Sequence, residues 1–298
     1  MKKVSKCLVC GSSNLYKRKS KLTDFVCSRT HKSIDPPTLT KICLCDDCSF
    51  GFYEDRLSDE ENGLLYKGYR DAAYQQLREK CEPWYTKEVN DGLNDDTVAL
   101  SEQKRVIISI LNRYVKKEIK VALDYGGNEG RTFTDPIGTE ERYVYDISGI
   151  PTVDGVKGIA TEEELKKHHY DFIMCNHLFE HLSYPVDTLK HLKEISSDDT
   201  YYYIEVPSES PFMNKVEKRI SWIPDRLYVS LADFYHSLIG KPTYFHPMHE
   251  HVNFFTIDSM RTMLEKNGFK VICIEENEEK TVLGKPTVLS ALFVKANN

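Results

Sequence analysis

Four cysteines near the N-terminus have the spacing of a metal site. Cys7 and Cys10 are separated by two residues, and so are Cys45 and Cys48. Each pair can direct two thiolates at one ion, and two pairs complete the tetrahedral set of ligands that zinc prefers. Four protein ligands leave no open position, so the ion would stabilise the fold and take no part in a reaction. The spacing therefore predicts a structural Zn²⁺ site.

The 34 residues between the two pairs leave other ligands open. They are enough for a hairpin and a loop, and they include Cys27, His31 and Cys43, each of which is an alternative ligand. Reduced cysteines without a metal are the competing interpretation, because disulfides are rare in the cytoplasm. We expect residues 1–56 to form a small zinc-binding module.

A histidine-rich segment near the C-terminus carries residues suited to acid–base chemistry. His249, Glu250 and His251 are consecutive, and histidine, with an unperturbed pKa of about 6.5, removes protons well at neutral pH. We predict that His251 is a general base, that Glu250 orients it or binds a substrate hydroxyl, and that His249 is a further candidate. If the segment is extended, the two histidines share one side and Glu250 the other. A metal site and a solvated polar loop are the alternatives.

The elements that position these groups alternate between helices and strands from residue 97 onward. Helices are expected at 97–115, 186–195 and 257–267, the last closed by Gly268. Short apolar runs predict strands at 119–125, 143–147, 156–159, 170–175, 201–206, 269–275 and 288–294. This alternation is typical of an α/β fold with a doubly wound, mainly parallel sheet of seven strands.

Two further segments complete the expected organisation. Ser58 and Glu61 have the spacing of a capping box, which predicts a helix followed by a tyrosine-rich connector over residues 57–96. Residues 211–245 interrupt the sheet pattern of the catalytic domain, residues 97–298, and are expected to form a helical insertion. That insertion is either a lid over the ligand or an added helical layer.

Candidate ligand-binding residues follow three of the predicted strands. Ligands of such sheets bind at the carboxyl ends of the strands, where glycines let the backbone approach closely and free amides hold anions. A carboxylate at the end of the second strand can accept hydrogen bonds from two ribose hydroxyls. The candidates for cofactor binding are Asp124, Gly126, Gly127, Asn128, Gly130, Asp146, Asn176 and His177. His177 is also a candidate for a substrate contact.

The spacing of these glycines differs from the G-x-G-x-x-G pattern of nicotinamide cofactor sites. With Asp124 before the glycines, the segment resembles class I S-adenosylmethionine-dependent methyltransferases, although Asn128 stands in place of their middle glycine. Residues 171–185 are similar to the fourth strand of that family and the segment that follows it. Residues 201–209 are similar to the fifth strand. The resemblance implies S-adenosylmethionine as the cofactor.

A narrower resemblance covers most of the chain. The paired cysteines, the segment from Ser58 and the His-Glu-His run together resemble zinc-binding sugar C-methyltransferases of nucleotide-linked deoxysugars, with Met248 where those enzymes have a tyrosine. In that family the glutamate and second histidine of the run are the proposed acid and base, which correspond to Glu250 and His251. The resemblance implies a nucleotide-linked or glycan-precursor sugar as the acceptor, and leaves C- and O-methylation open.

Composition and charge limit the other classes of protein to which the chain could belong. The chain has 298 residues, 40 lysines and arginines against 46 acidic residues, and a net charge of −6. With no apolar run long enough for a membrane span or signal peptide, we expect a cytoplasmic protein with no membrane partner. The excess of acidic over basic residues disfavours nucleic acid as a partner. A methyltransferase of another small phosphorylated metabolite is one alternative. A zinc-ribbon nucleic-acid-binding protein, using the seven basic residues among the first 22, is the other.

Overall fold

The computed structural model of the chain describes residues 1–209, 246–281 and 284–296. Strands within this part of the chain form three sheets, of seven, four and two strands. The helical insertion predicted at 211–245 lies outside the described residues. No helix in the described ranges is both long and apolar enough to cross a membrane.

The N-terminal residues form an antiparallel sheet next to the paired cysteines. A hairpin of two seven-residue strands, with one short helix in its connection, occupies the long gap between the cysteine pairs. A short pair of strands lies beside this sheet. The elements are β1 (Lys2–Lys3), β2 (Leu15–Lys21), α1 (Asp24–Arg29), β3 (Leu39–Cys45), β4 (Gly51–Tyr53) and β5 (Asp55–Arg56).

The connector is helical, as predicted, but it is broken. Its helices are α2 (Asp59–Tyr66), α3 (Ala72–Cys81) and α4 (Lys87–Asn94). The predicted capping box begins α2: the Ser58 hydroxyl accepts from the Glu61 N–H at 3.2 Å, and Glu61 accepts from the Ser58 N–H at 2.9 Å. The chain then turns at Gly68, whose φ of +63° favours glycine. The short loop that results lies between α2 and α3.

The second half of the chain contains the large sheet and its helices. Its helices are α5 (Thr97–Tyr114), α6 (Glu162–Leu165), α7 (Pro185–Glu194) and α8 (Ile257–Lys266). Its strands are β6 (Ile119–Tyr125), β7 (Ile137–Tyr145), β8 (Lys157–Ile159), β9 (Phe172–Asn176), β10 (Tyr201–Pro207), β12 (Phe269–Glu278) and β13 (Thr287–Lys295). A two-residue strand, β11 (Asn253–Phe254), lies between β10 and α8 in the chain and belongs to the N-terminal sheet.

The large sheet confirms the predicted seven strands and their mainly parallel arrangement. The strand order is β12-β13-β10-β9-β6-β7-β8. Only β13 runs against its neighbours, pairing antiparallel with β10 and β12, whereas β10, β9, β6, β7 and β8 pair in parallel. The carboxyl ends of β6, β9 and β10 therefore meet at one edge, where the strand order reverses and ligands bind in folds of this kind.

The N-terminal sheet shares an apolar core with the large sheet, where Phe52 lies in one cluster with Cys175 and Val206. β11 pairs antiparallel with β4, Asn253 opposite Phe52, and the rings of Phe50 and Phe255 lie 5.0 Å apart. Arg56, 1% exposed, donates hydrogen bonds to backbone carbonyls that include Leu182 and Val252. These contacts bring residues 249–251 close to the carboxyl edge of the sheet.

Candidate functional site

The four predicted zinc ligands lie together. The ligand atoms of Cys7, Cys10, Cys45 and Cys48 are all within 4.8 Å of one another. The Cys7 and Cys48 sulfurs are 3.6 Å apart, and the Cys10 and Cys45 sulfurs 3.4 Å apart. Sulfurs bound to one zinc ion at about 2.3 Å lie about 3.8 Å apart in a tetrahedron. The cluster is therefore compatible with a four-thiolate metal site.

The alternative ligands are elsewhere among the described residues. Cys27 is buried in a second apolar cluster with Phe25 and Leu65. Cys43 is also buried, which raises the pKa of its thiol to about 12. His31 is exposed. None of the three belongs to the group around Cys7.

A cavity of about 1180 Å³ opens at the carboxyl ends of β6, β9 and β10. Its floor includes Asp124, Asn176 and Pro207, which end these strands. The loop between α2 and α3 and the first turns of α5 form other walls. Six of the predicted cofactor residues line it, namely Asp124, Gly126, Gly127, Asn128, Asn176 and His177, and so does His251.

The glycine loop at the end of β6 leaves no room for side chains. Gly126 has a φ of +79°, and a Cβ atom there would lie 2.9 Å from the Leu178 side chain. A Cβ on Gly127 would lie 2.2 Å from the Asp124 carboxyl carbon. Asn128 replaces the expected middle glycine with a φ of 53°, a left-handed conformation that asparagine tolerates. Its N–H donates to Asp146 Oδ2 at 2.9 Å.

Buried polar atoms at the floor of the cavity lack partners. Asp124 is 0% exposed, and neither carboxylate oxygen has a hydrogen-bond partner among the described residues; the same holds for the side-chain amide of Asn176. Burial, together with the nearby Asp146 carboxylate, raises the pKa of Asp124 to about 8. Buried polar groups need partners, and S-adenosylmethionine carries an ammonium group and ribose hydroxyls. The residues present therefore fit this cofactor.

The other two predicted cofactor residues do not line the cavity. Gly130 packs against Val144 and Val156, where a Cβ would lie within 2.9 Å of both side chains. Asp146 follows β7 as predicted, and its carboxylate accepts hydrogen bonds from the Asn128 and Ser148 N–H groups. In this structure Asp146 thus fixes the glycine loop.

Glu250 and His249 contact α3. The Glu250 carboxylate is buried and accepts hydrogen bonds from the Tyr74 hydroxyl and, at 3.1 Å, from Arg78. His249 Nε2 lies 2.5 Å from Glu82 Oε1. Burial alone would raise the pKa of Glu250, but Arg78 and His249 hold it below its usual value.

These contacts differ from the expected arrangement. The hydrogen bonds of the Glu250 carboxylate within the described residues go to Tyr74 and Arg78, so the predicted pairing with His251 is not among them. His249 and His251 also have separate neighbours, because residues 249–251 are not a strand and do not alternate as an extended segment would.

His251 lies beside two residues that follow β9. Its ring is 4.7 Å from that of His181, and the ligand atoms of Glu180, His181 and His251 are within 4.8 Å of one another. His181 Nδ1 lies 2.8 Å from the Tyr66 hydroxyl and 3.1 Å from the Glu250 carbonyl. Burial and the neighbouring His181 lower the pKa of His251 to about 4, despite the carboxylates nearby. His251 is therefore a neutral imidazole at the cavity wall.

His177 is the last residue of this group. It follows β9 in a left-handed conformation, with a φ of 48°. Its Nδ1 atom lies 3.2 Å from Glu180 Oε1. Sequence reasoning placed His177 near the cofactor and Glu180 on the next turn, but it did not identify Glu205 and Glu279, because these come from distant parts of the chain.

Comparisons with known proteins agree with this fold. A family model described as a methyltransferase domain matches residues 99–274. No curated protein is similar enough to count as a match.

Three solved structures are similar at low sequence identity. The 1,6-didemethyltoxoflavin-N1-methyltransferase of Burkholderia thailandensis, with bound 1,6-didemethyltoxoflavin and S-adenosylhomocysteine, is 12% identical with a TM-score of 0.49, covering 87% of this chain and 96% of that one. An S-adenosylmethionine-dependent methyltransferase of Anabaena variabilis is 11% identical with a TM-score of 0.42, covering 68% and 88%. The magnesium protoporphyrin IX methyltransferase of Synechocystis, with bound S-adenosylhomocysteine, is 12% identical with a TM-score of 0.39, covering 68% and 86%.

The family match includes 176 of 298 residues, from the start of α5 into β12, and contains the glycine loop. This confirms the enzyme class predicted from the sequence, an S-adenosylmethionine-dependent methyltransferase. The chain belongs to the methyltransferase-domain family.

Proposed function

We propose that the protein transfers a methyl group from S-adenosylmethionine to a small acceptor, a nucleotide-linked or glycan-precursor sugar. The observation that carries the proposal is that the glycine loop and His251 line one cavity. A cofactor on the loop and an acceptor beside the histidine would then share a single enclosed space. Such placement is the main contribution of an enzyme to methyl transfer, because the reacting atoms must be aligned.

The proposed mechanism assigns one task to each group. When bound, S-adenosylmethionine supplies an electrophilic methyl group on a sulfonium ion. Asp124, Asn176 and the amides of the glycine loop hold the cofactor. His251, neutral at cytoplasmic pH, accepts a proton from a hydroxyl or from a carbon next to a carbonyl. The Glu180 carboxylate lies close enough to stabilise the imidazolium that results.

In this proposal, the residues around Glu250 position His181 and His251. Glu250 is held by Arg78 and Tyr74, and its backbone carbonyl lies 3.1 Å from His181 Nδ1. Through that contact Glu250 orients His181, whose ring touches that of His251. We therefore assign Glu250 a positioning role in place of the predicted direct contact with His251.

Three cationic side chains are candidate contacts for a phosphorylated acceptor. Arg70, Arg131 and Lys285 line the cavity, together with five acidic residues. Arg131 bonds the Asn94 carbonyl at 2.9 Å through one nitrogen, which leaves its other nitrogens for a ligand. A diphosphate is the anion that two or more cations at one wall would bind most tightly. A sugar linked to a nucleoside diphosphate meets this requirement.

The test combines binding and turnover. Wild-type protein is incubated with S-adenosylmethionine and a panel of nucleotide sugars, and products are screened by mass spectrometry for the gain of one methyl group. His251→Gln should bind the cofactor as wild type does by calorimetry, yet lose turnover by about 10²-fold or more. Methylation of no sugar in the panel overturns the acceptor class, whereas absence of cofactor binding by wild type overturns the whole proposal.

We also propose that Cys7, Cys10, Cys45 and Cys48 bind Zn²⁺. Thiolates are the ligands that zinc selects, and four of them leave no position for a substrate. The ion would hold β3 and the two cysteine turns together. Metal analysis of the purified protein, compared with a Cys10→Ser variant, tests this: wild type is expected to hold one zinc ion per chain more than the variant does.

A further inference from the structure

Three buried glutamates surround His177 at the edge of the cavity. Glu180 follows β9 in the chain, Glu205 is on β10, and Glu279 follows β12. They are 2%, 0% and 1% exposed. His177 Nδ1 is 3.2 Å from Glu180, while Nε2 is 3.6 Å from Glu205 Oε1 and 3.9 Å from Glu279 Oε2. One imidazole therefore faces three carboxylates.

Each glutamate retains an oxygen without a partner among the described residues. These atoms are Glu180 Oε2, Glu205 Oε1 and Glu279 Oε1. Burying a carboxylate is costly unless it is paired with a cation or fully hydrogen-bonded. A single imidazolium leaves the group short of positive charge.

The spacing of the ligand atoms suits one metal ion. The ligand atoms of His177, Glu205 and Glu279 all lie within 4.8 Å of one another. Nitrogen and oxygen ligands bind a divalent ion at about 2.0–2.2 Å, so two ligands of one ion are separated by at most about 4.4 Å. The measured 3.6 Å and 3.9 Å fall within this limit.

A second layer of contacts orients two of the ligands. When an ion displaces the Nε2 proton of His177, Glu180 can still accept the Nδ1 proton, and Nε2 faces Glu205 and Glu279. Glu205 Oε2 accepts hydrogen bonds from the Tyr203 and Ser290 hydroxyls, so that only Oε1 remains for an ion. A carboxylate that holds the far nitrogen of a ligating histidine is a regular feature of metal sites.

We propose that His177, Glu205 and Glu279 bind a divalent metal ion of the Mn²⁺, Fe²⁺ or Zn²⁺ type beside the cavity that His177 lines. One imidazole and two carboxylates match the preference of these ions for mixed nitrogen and oxygen ligands. An acceptor oxygen bound to the ion would lose its proton more easily, and His251 would accept that proton. The role of the ion rests on the proposed function, whereas the binding itself does not.

Mn²⁺ binding to the full-length protein tests the site. Manganese disfavours four-thiolate sites, and its binding removes the electron paramagnetic resonance signal of the free ion. We expect one Mn²⁺ per wild-type chain and a loss of affinity of at least about tenfold in Glu279→Gln and Glu205→Gln. Glu278→Gln is the matched control, because Glu278 is exposed and adjacent in the chain.

Thermal unfolding is a second measurement of Mn²⁺ binding, for the case that the glutamine substitutions change the stability of the protein. Mn²⁺ should raise the melting temperature of wild type and of Glu278→Gln, and should leave that of Glu279→Gln unchanged. If wild type binds no more Mn²⁺ than Glu279→Gln does, the carboxylates serve only to hold His177, and the metal site is overturned. Normal S-adenosylmethionine binding in that sample would leave the proposed function intact.

Discussion

Asp124 is fully buried at the floor of the cavity, with a pKa raised to about 8 from its usual 3.8. The folded protein therefore keeps a proton that the unfolded chain loses near pH 4, and its stability falls as the pH rises from about 4 to 8. We expect Asp124→Asn, without cofactor, to be more stable than wild type at pH 8 by a few kcal/mol, at most about 5. Thermal unfolding at pH 8 and pH 4 measures this, and the difference should vanish at pH 4.

The same substitution should weaken cofactor binding, because an amide cannot replace the carboxylate opposite a cationic ligand. Calorimetry with S-adenosylmethionine at pH 8 is the measurement, with Asp154→Asn as a control, since Asp154 is exposed and not among the cavity residues. Unchanged affinity would mean that Asp124 does not contact the cofactor.

His251 gives a pH dependence of its own. Burial and His181 hold its pKa at about 4, while Glu180 and Glu250 oppose the shift and His177 adds to it. The proposed base is therefore deprotonated over the whole range above pH 5. Turnover limited by proton removal should be flat from pH 6 to 8 and decline only below about pH 5. A decline that begins near pH 6.5, the ordinary histidine value, would assign the base to another group.

At the scale of elements, α3 holds the segment that carries His251. Arg78 and Glu250 are each 8% exposed and 3.1 Å apart. Removing one member of a buried ion pair leaves the other charge unpaired, which typically costs about 3–5 kcal/mol. We expect Arg78→Met to lower the free energy of unfolding by this amount, measured with urea, whereas Lys80→Met, on the exposed side of α3, should change it little.

A double variant separates the pair from the rest of the network. Arg78→Met with Glu250→Gln should be less destabilised than the sum of the two single variants, since neither of these two charges is then left without the other. Additive effects would show that the two side chains do not interact in solution.

Local sequence patterns predict most of the helices and strands, but few of the contacts between residues that are far apart in the chain. The apolar run at 119–125 matches β6, and Ser58 with Glu61 begins α2. β7 begins at Ile137, six residues before the predicted 143, because its polar first half hides the strand pattern. The break at Gly68 was also missed. Pairing of β11 with β4 depends on residues 200 apart in sequence, which no local pattern records.

The candidate site likewise contains residues that the sequence shows and residues that it does not. Asp124 and the glycines next to it are visible in the sequence, because a strand end and a tight turn are local features. Glu205 and Glu279 are not, since Glu205 lies within an ordinary predicted strand and Glu279 in the run of charged residues after another. Only the sheet order, with β12 and β10 both beside β13, brings them to His177.

At the scale of the whole molecule, the cysteine cluster shares its core with the catalytic part. Cys7 and Cys45 belong to the same apolar cluster as Met260 and Leu264 of α8, and Lys266 bonds the Cys10 carbonyl at 3.1 Å. If zinc binds there, its loss should destabilise the whole chain, although the cluster does not line the cavity.

We expect a chelator to lower the melting temperature by more than about 5 °C in a single transition, with cofactor binding lost at the same temperature. Circular dichroism follows unfolding, and a competition assay in which S-adenosylmethionine displaces a fluorescent ligand follows cofactor binding. Two separate transitions, with the cofactor still bound after the first, would show instead that residues 1–56 unfold on their own.

The short strand β11 has a consequence for synthesis of the chain. β4 is made early, yet the strand that covers its free edge is translated about 200 residues later. Until then, unpaired amides and carbonyls of β4 are open to any extended segment nearby, including that of another nascent chain. Ribosomes stalled before residue 253 should therefore yield fragments that aggregate more than the full chain does.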